Sequence, residues 1–97
     1  MLITILGKRW RLELVPAKEL PQTNGKRDCD GYCSDPNMPG KTIRVYDKLN
    51  DERTLAILAH EMLHAADWHK SEEWVEEVAE DIARAATKLG FTRKGTG

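Results

Sequence analysis

Cysteine is scarce in this chain: Cys29 and Cys33 are the only two among 97 residues. That excludes the disulfide framework that staples many small secreted domains. In an extended segment, at roughly 3.3 Å rise per residue, the two backbones lie too far apart to bridge without a turn at Gly31. They read as reduced, partly buried thiols, and the pair lacks a matching second Cys or His pair for a metal site. An excess of one charge is also missing, since 15 basic and 16 acidic residues leave a net charge of −1. The electrostatic footprint of a nucleic-acid binder is therefore absent. No apolar run approaches the roughly 20 residues of a membrane helix. The opening run from Met1 to Leu6 breaks at Gly7-Lys8-Arg9 without the order of regions found in a signal peptide. These absences predict a cytoplasmic chain with no nucleic-acid or membrane partner. Internal repeats and low-complexity tracts are lacking too, and the length predicts one domain, residues 1–97, with a limited core.

Proline is absent before residue 16 and after residue 39, which divides the chain by texture. Leu2-Ile3-Thr4-Ile5-Leu6 and Trp10-Arg11-Leu12-Glu13-Leu14-Val15 flank Gly7 and are rich in strand formers, so a β-hairpin is predicted. Residues 16–40 hold all four prolines and three of the seven glycines and read as loop, with a short strand near residues 28–33. Thr42-Ile43-Arg44-Val45-Tyr46 alternates and predicts another strand. The second half is helical. Asn50 or Asp51 can cap a helix starting near Glu52, and Ser71 can cap a second running to Leu89, with Gly90 as its stop. Residues 91–97 read as a flexible tail. The fold class predicted is α+β: a small, mostly antiparallel sheet (residues 1–49) followed by a helical hairpin (residues 50–90).

The first helix carries His60-Glu61-Met62-Leu63-His64. In a helix, residues i and i+4 lie one turn apart on one face, so both imidazoles can reach a single cation. Glu61, turned about 100° away, is placed to take a proton from water bound to that cation. From Leu55 to Ala66 the other residues are apolar apart from His60, Glu61 and His64, which predicts a central, buried helix. Buried histidines need partners.

A catalytic zinc takes three protein ligands and keeps a position for water. His69, five residues after His64, falls about 140° off the stripe and suits the helix end better. Asp67 shares the stripe and reads either as a partner for a histidine ring or as a solvated carboxylate. If the chain reverses near residues 69–71, the level between His60 and His64 falls opposite residues 76–78. Glu76 and Glu77 are at that height and Glu73 is about one turn low. Asp81, four residues after Glu77, is placed to hold the other nitrogen of His60.

His60-Glu61-Met62-Leu63-His64 followed by Glu77-Val78-Ala79-Glu80-Asp81 resembles the gluzincin metallopeptidases. The whole chain looks like a minimal zincin of the short bacterial and phage kind. The resemblance covers the C-terminal half well and the N-terminal strands only by order. Only twelve residues separate His64 from Glu77, so the hairpin must be tight. The resemblance implies one Zn2+ held by His60, His64 and Glu77, with Asp81 behind, and Glu61 as general base in peptide-bond hydrolysis. It also implies that an extended peptide or protein substrate pairs with an edge strand, at residues 28–34 or 42–46. Tyr46 and His69 are the candidates for stabilising the oxyanion. The alternative is a non-catalytic module in which zinc only stabilises the fold.

Overall fold

In a computed structural model of the chain, which describes residues 1–93, six strands precede two helices. Strands β1 (Leu2–Ile5) and β2 (Lys8–Val15) form the expected hairpin, turned by Leu6 and Gly7 at φ of 49° and 79°. Two successive positive φ values suit the right-handed twist of a two-residue hairpin. A short 3-10 turn (Ala17–Glu19) leads to a miniature hairpin, β3 (Gln22–Thr23) and β4 (Lys26–Arg27), around Asn24-Gly25. Then come β5 (Gly31–Cys33) and β6 (Thr42–Tyr46), followed by α1 (Asp51–Ala66) and α2 (Glu72–Lys88).

The main sheet has the order β1-β2-β6-β5. Its two outer ladders are antiparallel, while β2 and β6 run parallel, so the sheet is mixed. Alternation along β6 places Ile43 and Val45 in the core and leaves Arg44 on the other face. There Arg44 meets Glu13, its partner in register on β2, at 3.3 Å. Ile5, Trp10, Ile43, Val45, Ile57 and Ala65 form the central cluster between the sheet and α1. Each fully buried Val or Ile contributes roughly 1.5–3 kcal/mol relative to exposure. Val75, Ala79 and Ala83, one turn apart, are the buried stripe by which α2 packs on α1.

Both helices carry the caps their sequences suggest. Asn50 Oδ1 accepts from the amide of Arg53 at 2.8 Å, and Ser71 Oγ from that of Trp74 at 3.2 Å. Gly90, at φ 91°, stops α2. Helix α1 is less enclosed than expected, because the sheet covers one side and α2 another. Leu55, Leu58 and Met62 are half-buried on the third side, where they line an apolar groove with Ile5 and Ile82. Of the tail predicted from residue 91, Arg93 reaches back to donate to the carbonyl of Asp47 at 2.8 Å; residues 94–97 lie outside the described part. No helix among the described residues is long and apolar enough to cross a membrane.

Strand β5 is the edge nearest α1, and a glycine makes that approach possible. A Cβ built on Gly31 would sit 2.5 Å from Ile57 Cγ2 and 2.7 Å from Glu61 Oε2. Both distances are inside van der Waals contact, and Ile57 is a branched core side chain that cannot swing aside. Gly31→Ala is expected to lower the unfolding free energy by roughly 1–3 kcal/mol, as overpacking does. Chemical denaturation checks this; an unchanged midpoint would mean the strand does not press on the helix.

Candidate metal centre

The helix brings His60 and His64 together as their spacing predicts. Their Nε2 atoms are 3.1 Å apart and both side chains are largely covered, at 18% and 15% exposure. The group that faces them is Glu72, the first residue of α2. Its Oε1 lies 2.7 Å from His60 Nε2 and its Oε2 3.0 Å from His64 Nε2. These three side chains form the one group of potential metal ligands among the described residues. Two imidazole nitrogens and a carboxylate converge with their lone pairs toward one point, which requires a cation or protons among them. Ligand atoms bound to zinc at 2.0–2.1 Å in a tetrahedron are about 3.3 Å apart. The observed separations lie just below that value, so small side-chain shifts suffice, and the donor set fits zinc.

The carboxylate that faces the two histidines is therefore Glu72, and not Glu77, the one expected by resemblance. The reason is rotational. Glu77 lies about 200° round the helix from Val75, opposite the stripe that packs on α1, and it is exposed. Glu72 precedes Val75 by three residues and so lies about 60° from that stripe. The height argument also fails, because the link between the helices folds back on itself. The amide of Asp67 donates to Leu63 O at 2.9 Å and that of Lys70 to Asp67 O at 3.2 Å. Helix α2 consequently starts beside the last turns of α1 rather than beyond them. Glu73 is exposed and outside the cluster, and Glu76 lines the adjoining cleft without joining it. The stripe at Val75, Ala79 and Ala83 was the available signal for Glu72.

The supporting residues expected from sequence lie elsewhere. Asp81 is exposed and pairs with Arg84, so it does not hold His60. Tyr46 lies beneath the guanidinium of Arg27, 3.8 Å from its ring centre, and does not line the cleft. His69 is exposed in the interhelical link, outside the ligand cluster. Asp67 is exposed as well; it accepts from the amide of His69 at 3.3 Å and stands outside the cluster of His60, His64 and Glu72. Trp68, rather than either acid, packs edge-on against His64.

Glu61 is the buried acid of the site. It is 8% exposed, no group among the described residues hydrogen-bonds to it, and it lines the cleft beside His60. Burial pushes its carboxyl up to about 7; the neighbouring His60 opposes this and the negative Glu72 adds to it. A carboxylate balanced near neutrality is suited to exchanging protons.

The cleft holds about 770 Å³ and runs between α1, α2 and the chain leading into β5. Of the two segments expected to offer an edge, 42–46 is excluded because β6 is paired on both sides, with β2 and β5. Strand β5 has a free side. Tyr46 N donates to Asp30 O at 2.8 Å and Ser34 N to Thr42 O at 3.0 Å, and Tyr32 stands opposite Arg44. By antiparallel alternation, the backbone groups of Gly31 and Cys33 point outward. The thiol of Cys29 donates to the outward carbonyl of Gly31 at 2.9 Å. Both cysteines are free thiols, and burial pushes that of Cys33 up to about 12, which keeps it protonated and unreactive.

No family model, curated protein or solved structure matches this chain.

Proposed function

We propose that the protein is a metal-dependent hydrolase of peptide bonds, with zinc held by His60, His64 and Glu72 and with Glu61 as general base. The observation that carries this reading is Glu61, a residue only 8% exposed and without a hydrogen bond among the described residues, beside a two-histidine, one-glutamate cluster at the wall of an open cleft. A purely structural zinc site is normally closed by four protein ligands. Here three converge, and cleft borders them.

When bound, zinc lowers the pKa of water toward about 7 and polarises a carbonyl. The chain's residues supply the rest. His60 and His64 are oriented by α1, and Glu72 is carried to them by the capped first turn of α2. Glu61 takes the proton from the attacking water and delivers it to the departing amine. Gly31 lets the edge strand lie directly on Glu61, so a peptide pairing with β5 passes over the acid that must reach it.

The test is a cleavage assay on a mixture of unstructured peptides, followed by mass spectrometry. Zinc-loaded protein is expected to cut peptide bonds, chelation to stop cleavage, and added zinc to restore it. Cleavage that survives complete metal removal, or no cleavage of any peptide by the zinc-loaded chain, overturns the proposal.

A further inference from the structure

Helix α2 has a flank on either side of the stripe that packs on α1. Glu80 follows Ala79 and Val78 precedes it, so they lie about 100° away to opposite sides. The Glu80 flank borders the metal cleft. The other flank is apolar, because Trp74, Val78, Ile82 and Leu89 fall within about 80° of one another. Ile82 is 46% exposed and Leu89 77%. Through Ile82 this flank runs into the groove lined by Leu55, Leu58 and Met62 of α1 and by Leu6 of the first hairpin turn, which is 79% exposed. Thr4 is the one residue lining that groove, among those described, with a polar side chain. A continuous apolar face of this kind marks a surface that another molecule covers.

Its size and the charges along its edge fit a second copy of the chain. At 1.5 Å per residue the helices are about 25 Å long, and with axes 8–10 Å apart they present a face of roughly 500 Å². Two such faces bury about 1,000 Å² together, the lower bound for specific association. Along the outer edge of the flank stand Glu77 and Lys88. They lie within about 20° of each other round α2 but three turns apart, about 16 Å along its axis. That is too far to pair within one chain, and neither forms an ion pair among the described residues. Asp81, between them, is already held by Arg84. The midpoint of Glu77 and Lys88 falls between Ile82 and Ala83, level with the middle of the apolar flank. A two-fold axis there runs the second α2 antiparallel to the first and sets each Glu77 against the other copy's Lys88. The helix dipoles then also oppose each other. A net charge of −1 resists such pairing very little. The four residues after Arg93, Lys94-Gly95-Thr96-Gly97, contain no apolar side chain to cover the face instead.

We infer that the chain pairs with a second copy of itself through the apolar flank of α2 and the groove on α1, about a two-fold axis beside Ile82. The metal cleft lies on the opposite flank and stays open in the pair.

A face at the lower bound of size is expected to give a dissociation constant on the order of 100 μM. Sedimentation velocity of the full chain from roughly 1 μM to 1 mM brackets that value. The mass should rise across this range from that of one chain toward that of two. Ile82→Glu should keep the chain monomeric throughout, with circular dichroism and zinc content like the parent's. Glu77→Lys and Lys88→Glu should each weaken pairing by roughly fivefold at low salt, because each sets like charges opposite one another. Both substitutions in one chain should restore it, and mixing the two single variants should favour the mixed pair. Should Ile82→Glu fail to fold, the charge variants decide, since they leave the apolar face intact. A chain that stays monomeric at the highest concentration overturns the inference, whether or not a lipid or a different protein occupies the groove. So does a pair that survives Ile82→Glu, or charge variants that behave the same singly as together.

Discussion

Replacing Glu61 by glutamine is expected to leave zinc bound and to lower peptide hydrolysis by roughly 10²–10⁴-fold, the usual contribution of a positioned general base. The substitution is nearly isosteric, so the fit of β5 over Gly31 survives. What changes is the ability to accept a proton. Glu61 does not join the His60, His64 and Glu72 cluster, so zinc content measured after dialysis should equal that of the parent. Its burial predicts a second effect. The wild-type carboxyl must be ionised against a desolvation penalty, and glutamine has no such penalty, so the metal-free variant should be at least as stable as the metal-free parent. A variant that keeps both its zinc and its full cleavage rate would remove Glu61 from the role of general base.

The second large effect separates Glu72 from Glu77. Glu72→Gln is expected to weaken zinc binding by about 100-fold or more, because even residues that only orient a ligand are worth 10–100-fold. Glu77→Gln should change affinity by no more than about twofold, since Glu77 is exposed and outside the cluster. Competition with a chromophoric chelator measures both. Without metal, losing Glu72 should barely alter the folding free energy. Its side chain is 68% exposed, and ion pairs so open to solvent contribute little. That contrast matters, because a drop in affinity caused by unfolding would appear in both measurements. If Glu77→Gln lost the metal and Glu72→Gln kept it, α2 would have to be rotated so that the opposite face met the histidines.

The resemblance to zincins pointed to the two helices that carry the cluster but to a carboxylate outside it. Every acid from Glu72 to Asp81 has the same chemistry, and spacing from His64 places them only by height along an idealised hairpin. The distinguishing quantity is the angle about the α2 axis. The buried stripe of Val75, Ala79 and Ala83 sets it, and that stripe was legible as an apolar periodicity. Extending the stripe one turn toward the N-terminus reaches the neighbourhood of Glu72. The miniature hairpin at residues 22–27 was similarly legible, since Asn24-Gly25 is a strong two-residue turn signal. Its flanking strands are only two residues each, too short to register as alternation.

What the amino-acid order determined by itself is local. Helix limits follow from Asn50, Ser71 and Gly90, the first hairpin from Gly7, and the shared face of His60 and His64 from the 3.6-residue turn. Each rests on interactions within a few residues, which the chain carries wherever it goes. Which acid meets the histidines, which strand is left at the edge, and that Gly31 lies on Glu61 depend on how distant segments pack. Those were decided by tertiary structure, because burying the α2 stripe and the faces of β6 sets the rotation of the helix and the order of the strands together.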